Sequence, residues 1–238
     1  MDILRELYAG LLATAFPRVC CLCEAAIPGG TRFVCLRCRA TTETLDLHTL
    51  AENEMTDKFW GRLPVERAAA LLPYGAGTLA ERVMRLLKYD DRPDVGVSLG
   101  GWLGALLAGA DSAFGPVEVV VPVPLHPRKR RRRGYNQAER VAAGIARGLG
   151  GEVACLEQAV RRTRETETQT RKSQFERLAN VEGVFALTRG ARRRLAGRHV
   201  LLVDDVMTTG ATLESLGREV LTAEPASLQV ATLALARL

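Results

Sequence analysis

The 238-residue chain contains no apolar run approaching the roughly 18 to 20 residues of a membrane-spanning helix, so insertion into a bilayer is not expected. Its first stretch, "MDILRELYAGLLATAFPRVC", carries an acid at Asp2 and no small-residue cleavage pattern. Ile3, Leu4, Leu7, Leu11 and Leu12 instead fit the apolar face of an amphipathic helix, and the expected compartment is the cytoplasm. No Gly-Lys-Ser/Thr triplet occurs, which excludes a P-loop and with it a self-powered ATPase motor. His48, His126 and His199 show no metal-ligand spacing, and no internal repeat is present. Lysine is scarce: Lys58, Lys88, Lys129 and Lys172 are the only ones, so the formal charge of +6 is carried by arginine, which suits bidentate phosphate contacts. "GAGTLA" (75–80) imitates a dinucleotide fingerprint, but no carboxylate ends a second strand nearby, which argues against a nicotinamide site.

With 47% hydrophobic residues the chain can bury a substantial core. "RAAALLPY" reads as an apolar run, followed by a helix with Leu79, Val83, Leu86 and Leu87 on one face, and "VSLGGWLGALLAGA" continues helically despite its glycines. "PVEVVVPVPLHP" is a buried strand ending where Pro122 and Pro124 remove ladder donors. "NQAERVAAGIARGLG" is a helix that stops at glycine, "HVLLVDDV" a strand, "ATLESLGREVLTAE" a helix and "SLQVATLALARL" a last strand. Alternation of this kind predicts an α/β fold with a doubly wound, mostly parallel sheet. The expected organisation is a helix and four-cysteine finger over 1–40, an acid-rich linker over 41–64, and the main domain over 65–238.

Five of the six cysteines fall between Cys20 and Cys38. Cys20-x-x-Cys23 and Cys35-x-x-Cys38, eleven residues apart, form a frame that brings four thiolates around one tetrahedral zinc, with Pro28-Gly29-Gly30 as the turn between knuckles. Four sulfurs leave no open position, so the zinc would be structural. Cys21 offers an alternative ligand, but it is spaced too closely to Cys23 for the usual knuckle and stands as a spare; Cys155 reads as a small buried apolar residue rather than a nucleophile.

Two further clusters carry chemistry. A strand ending in Asp204-Asp205 is followed by Thr208-Thr209-Gly210-Ala211-Thr212 and a helix, which sets backbone N–H groups and hydroxyls at a helix N-terminus as a phosphate cradle. Carboxylates cannot share that phosphate without repulsion, so the pair should face sugar hydroxyls, or a metal holding them; a ribose phosphate is the ligand this suggests. Arg128, Lys129, Arg130, Arg131, Arg132 and Arg133 are six consecutive cations followed by Gly134 and Tyr135. They suit pyrophosphate oxygens beside such a site, or nucleic-acid phosphates with Tyr135 stacking a base, and a merely solvated basic turn is the plain alternative.

"VLLVDDVMTTGAT" resembles the phosphoribosyl pyrophosphate (PRPP) motif of the type I phosphoribosyltransferases. The order of four-cysteine finger, "LLKYDDRPD", "VPVPLHPRKRRRRGYNQAE", "RRTRETETQTRKSQFERLANVEGVF" and acidic motif resembles the ComF family of competence-related proteins over nearly the whole chain. The resemblance implies a type I phosphoribosyltransferase-like fold in which Asp204 and Asp205 hold the ribose hydroxyls of magnesium-bound PRPP. Thr208, Thr209, Gly210, Ala211 and Thr212 would wrap the 5′-phosphate. It also implies a pyrophosphate loop at "PLHPRKRRRRGYNQ" and a flap with Arg161, Thr163, Thr166, Gln169, Arg177 and Asn180. The aspartates of "KYDDRPD" depart from the family's pattern and leave Lys88 without an assigned role. Two functions follow: phosphoribosyl transfer to an acceptor that the sequence does not name, or a PRPP-sensing module that grips single-stranded DNA during uptake with a helicase supplying the ATPase.

Overall fold

In a computed structural model the chain is described over residues 19–20, 22–27, 34–89, 92–163 and 183–237. The expected N-terminal helix, Cys21, the Pro28-Gly29-Gly30 turn and, from the flap, Thr166, Gln169, Arg177 and Asn180 lie outside the described residues. The chain divides into two compact units, 1–43 and 44–238. The described part of the first holds a bridge between Val19 and Ala26 and helix α1 (Leu36–Thr41).

The second unit begins inside the segment expected as a linker. A 3₁₀ turn (Asp46–Thr49) and α2 (Glu54–Asp57) bury Leu45, Leu47, Met55, Phe59 and Leu63 among their acidic neighbours. Asn53 caps α2 in a reciprocal capping box with Thr56, and its amide donates to the carbonyls of Leu47 and Ala68 at 3.1 and 2.9 Å. From residue 44 onward this stretch is therefore stitched to the first strand, because apolar residues at irregular intervals find a core that their spacing does not advertise.

The remaining elements are β1 (Arg67–Tyr74), α3 (Leu79–Tyr89), α4 (Pro93–Leu107), β2 (Val119–Pro122), α5 (Pro127–Arg133), α6 (Gln137–Leu149), β3 (Ala154–Cys155), β4 (Val160–Arg162), β5 (Phe185–Leu187), α7 (Ala191–Leu195), β6 (His199–Met207), α8 (Ala211–Leu221) and β7 (Ser227–Ala236). Five strands form one all-parallel sheet in the order β1-β7-β6-β2-β3, and β4 and β5 pair antiparallel beside it. The parallel α/β architecture read from the alternation of elements is present. β7 is buried along its whole length, as an interior parallel strand covered on both faces must be. On α3 the buried positions are Ala80, Val83, Met84 and Leu87, so Leu79 and Leu86 sit at the edge of the apolar face rather than in it.

Chain connections leave β2 toward β3 and β6 toward β7, outward in opposite directions from two neighbouring strands. Right-handed crossovers then put α6 and α8 on opposite faces and open a crevice at the C-terminal ends of β2 and β6. On the α6 face two helices approach backbone to backbone. Gly100 and Gly104 of α4 lie directly against the backbone of α6 at Val141 and Ile145, and Gly144 and Gly148 of α6 lie against α4 at Val97 and Gly101. The glycines that looked like flaws in a helix are what allow this contact.

Candidate functional site

At the crevice β2 stops first. Its last ladder partner is Pro122 opposite Val203, followed by one bond from the Val123 N–H to the Val203 carbonyl at 2.8 Å. β6 continues to Met207 while still paired to β7, so the strand does not end at the acidic pair as its sequence suggested. Asp204 and Asp205 occupy an extension of β6 that, among the described residues, has no strand partner on its β2 side, because prolines 122 and 124 cannot donate there. Their own side chains take the adjacent donors: Asp204 Oδ1 accepts from the Asp205 N–H and Asp205 Oδ1 from the Val206 N–H, both at 2.8 Å.

The second oxygen of Asp205 pairs with Lys88 Nζ at 3.1 Å, from the end of α3. The Asp205 charge raises the Lys88 ammonium above its ordinary value. Burial, then the charge of Asp205, pushes the Asp204 carboxyl well above the usual carboxylate range. Arg162, in β4, lies over the Phe185 ring at 5.4 Å; burial lowers its basicity and the charge of Asp204 opposes that. Among the described residues, Lys88 pairs with Asp205 and Arg162 lies within reach of the Asp204 charge. Neither is among the ligand-binding residues expected from the sequence, which leaves Lys88 without a role and matches Arg161, not Arg162, to the flap. The period-two alternation of "VRRT" is the signal that separates them: Arg161 and Thr163 are exposed while Arg162 is partly buried. Thr163 closes the base of the ribbon, its N–H donating to the Val184 carbonyl at 2.8 Å.

Past β6, Thr208 is exposed, Thr209 half-buried and Gly210 and Ala211 buried, with Thr212 half-buried in the first turn of α8. Gly210 caps α8 with φ +81°, a left-handed backbone, and a Cβ there would meet the Phe59 ring and Met207 Cε at 3.2 Å. Phe59, hidden in the presumed linker, therefore shapes the loop from beneath. The nearby acid, Glu214, is neutralised by Arg62 at 2.9 Å and Arg218 at 2.8 Å, which preserves the positive helix end for an anion.

Beyond β2, the arginine run forms α5 rather than a loop. Pro127 occupies its first turn, His126 Nδ1 accepts from the Arg128 N–H at 3.3 Å, and Gly134 at φ +81° ends it. Arg130 donates to Glu139 at 2.8 Å and Arg133 to the Gln137 amide oxygen at 2.8 Å, so these two anchor the helix to α6. Glu139 is 2% exposed, and burial raises its carboxyl despite the Arg130 charge. Arg128, Arg131 and Arg132 are exposed, and Lys129 is half-buried. The Tyr135 hydroxyl donates to the Leu87 carbonyl at 2.6 Å, joined there by Gln137 Nε2 at 3.2 Å. The structure thus brings the acidic pair, its threonine loop and the basic segment to one edge of the sheet.

In the first unit, the Sγ atoms of Cys20, Cys23, Cys35 and Cys38 all lie within 4.8 Å of one another, a cluster that can hold a metal ion such as zinc. Cys20 Sγ accepts from the Cys35 N–H at 3.4 Å and Cys35 Sγ from the Cys38 N–H at 3.3 Å. Burial works against the Cys20 thiolate, but backbone N–H groups of Cys35, Cys23 and Leu22 bring its thiol down to about 6. Cys155 stands apart at the end of β3, partly buried, and burial pushes its thiol up to about 11, a poor nucleophile.

A phosphoribosyl transferase domain matches residues 136–237, from the cap of α6 through β7. Competence protein F of Haemophilus influenzae is 37% identical over 42% of this chain and 43% of its own length. The DNA utilization protein YhgH of Escherichia coli K12 is 29% identical over 90% of this chain and 95% of its own. Competence protein ComFC of Bacillus subtilis is 32% identical over 42% and 37%. The chain thus spans less than half the length of the Haemophilus and Bacillus relatives. With its parallel sheet, its match to the phosphoribosyl transferase domain and its N-terminal four-cysteine cluster, the chain is a homologue of proteins named competence protein F, ComFC and YhgH.

Proposed function

We propose that this chain binds PRPP through the acidic pair of β6 and the loop that follows it, and that it acts in the handling of incoming DNA in the cytoplasm. One observation carries the reading: Asp204 and Asp205 stand on the extension of β6 past its last β2 partner, immediately ahead of the Thr208–Thr212 turn, a sugar-binding half joined to a phosphate-binding half. The carboxylates accept from the ribose 2′- and 3′-hydroxyls, and the backbone N–H groups and hydroxyls of 208–212 hold the 5′-phosphate. A magnesium ion bound with PRPP takes hard oxygen donors, which the acidic pair offers, and supplies charge neutralisation for the pyrophosphate. The basic segment 128–133 holds that pyrophosphate from the far side of the crevice. Transfer to an acceptor then needs positioning of the anomeric carbon and stabilisation of an oxocarbenium-like sugar rather than a strong base. Titration calorimetry with PRPP and magnesium checks the reading: saturable binding is expected, and no heat at millimolar PRPP overturns it. Pyrophosphate release with a panel of bases as acceptors separates the enzyme from the sensor.

A second reading is favoured by the exposed arginines of α5 and by the words competence and DNA utilization in the relatives' names. Here the PRPP pocket regulates, the basic helix grips single-stranded DNA, and a helicase partner supplies the ATPase that the sequence lacks. Such binding should weaken steeply with salt, because each phosphate neutralised releases a counterion.

The cysteine cluster holds a structural zinc, its four thiolates filling the tetrahedral shell. The purified protein should contain about one zinc per chain, read by atomic emission, and Cys35→Ala should bring that close to zero. A metal content unchanged in the variant would exclude the four-thiolate site.

A further inference from the structure

Tyr135, the aromatic that the sequence offered for stacking a base, spends its hydroxyl on Leu87 and is half-buried. The same hydrogen bond points to another ring. Leu87 is in the last turn of α3, and two residues later Tyr89 ends that helix with 78% of its surface exposed. Tyr135 and Gln137, which follow the basic helix directly, both donate to the Leu87 carbonyl. Arg133 lies near enough to Lys88 to oppose its protonation. The end of α3 is therefore tied to the end of α5. That basic helix is itself fixed, through Arg130 to the buried Glu139 and through Arg133 to Gln137, with Arg131 and Arg132 turned to solvent.

We propose that Tyr89 is the stacking platform for a base of a single-stranded nucleic acid whose phosphates lie along α5. An exposed ring at the end of a helix tied to an anchored basic helix is the combination that suits single strands, since every base offers a π face and every linkage a charge. A duplex keeps its bases stacked inside and gains nothing from the ring. This inference rests on the DNA-binding reading above and is independent of whether PRPP is transferred.

Fluorescence anisotropy with labelled oligothymidylate and oligouridylate, on the full chain, tests it. Tyr89→Ala should weaken binding by about ten-fold or more, the loss of one stacked base, while Tyr89→Phe, which keeps the ring, stays close to the parent. An abasic oligonucleotide should bind parent and Tyr89→Ala alike, and PRPP affinity should be the same in all three proteins. Equal loss in the two strands makes the ligand class single-stranded nucleic acid, and loss confined to one names it. Parent-like DNA binding by Tyr89→Ala, or an equal loss in Tyr89→Phe, overturns the proposal. No binding of any oligonucleotide by the parent overturns the DNA reading as a whole and leaves the PRPP site standing.

Discussion

Gly144→Ala is expected to lower the stability of the 44–238 unit by about 1 to 3 kcal/mol or more, although alanine is the better helix former. On propensity alone the change should help by about 1 kcal/mol at an interior helical position. Geometry decides the sign. A Cβ on Gly144 would overlap the Val97 carbonyl and sit 2.8 Å from the Gly101 nitrogen, and both are backbone atoms of α4 that no rotamer change can move aside. The two helices would have to separate, and α6 also covers β2 and β6 of the sheet. Gly101→Ala is the internal control. Its Cβ would lie 3.7 Å from the Gly144 carbonyl, an ordinary contact, so the propensity gain should survive and stability should stay level or rise slightly. For a unit of this size each kcal/mol moves the melting temperature by about 2 to 4 °C, so calorimetry resolves the difference. Should Gly144→Ala melt at or above the parent temperature, the close helix contact is not what holds this face together.

The contrast between those glycines shows where the sequence is legible and where it is not. β6, β7, α6 and α8 announce themselves through unbroken apolar runs or helical spacing, because their burial is continuous and periodicity is a local property. The acidic pair is legible for the same reason: charges inside such a run demand an explanation. What fails is whatever depends on partners distant in the chain. Phe59 and Leu63 look like residues of an acid-rich linker until the core they enter is known. Six cations read as a basic loop, yet a proline start, a histidine cap and a glycine stop make them a helix anchored on a buried glutamate. The Lys88–Asp205 pair joins positions that no local pattern connects.

That pair and its neighbour give the other large effect. Asp204→Asn is expected to lower PRPP affinity about 100-fold, since a charged acceptor to a sugar hydroxyl is worth roughly 1.5 to 3 kcal/mol and the amide keeps the shape but loses the charge. The same substitution should make the unliganded protein more stable near neutral pH. In the folded state, burial and the charge of Asp205 hold the Asp204 carboxyl well above its ordinary value of 3.8. Below that ordinary value the group is neutral in both the folded and the unfolded chain and costs nothing. As pH rises past it the unfolded chain ionises first, so stability falls until the folded carboxyl has ionised too. Asparagine removes that cost, so the variant's advantage should be absent in acid and grow toward neutrality, as thermal melts across pH will register. PRPP binding should run the other way in the parent, strengthening as Asp204 loses its proton, and should lose that dependence in Asp204→Asn. A variant that is less stable than the parent at neutral pH, or that binds PRPP as tightly, would break the link between the strain at this carboxylate and its use as a sugar ligand. If both shifts appear together, the free site holds a charge it would rather lose, and the sugar hydroxyls are what offset it.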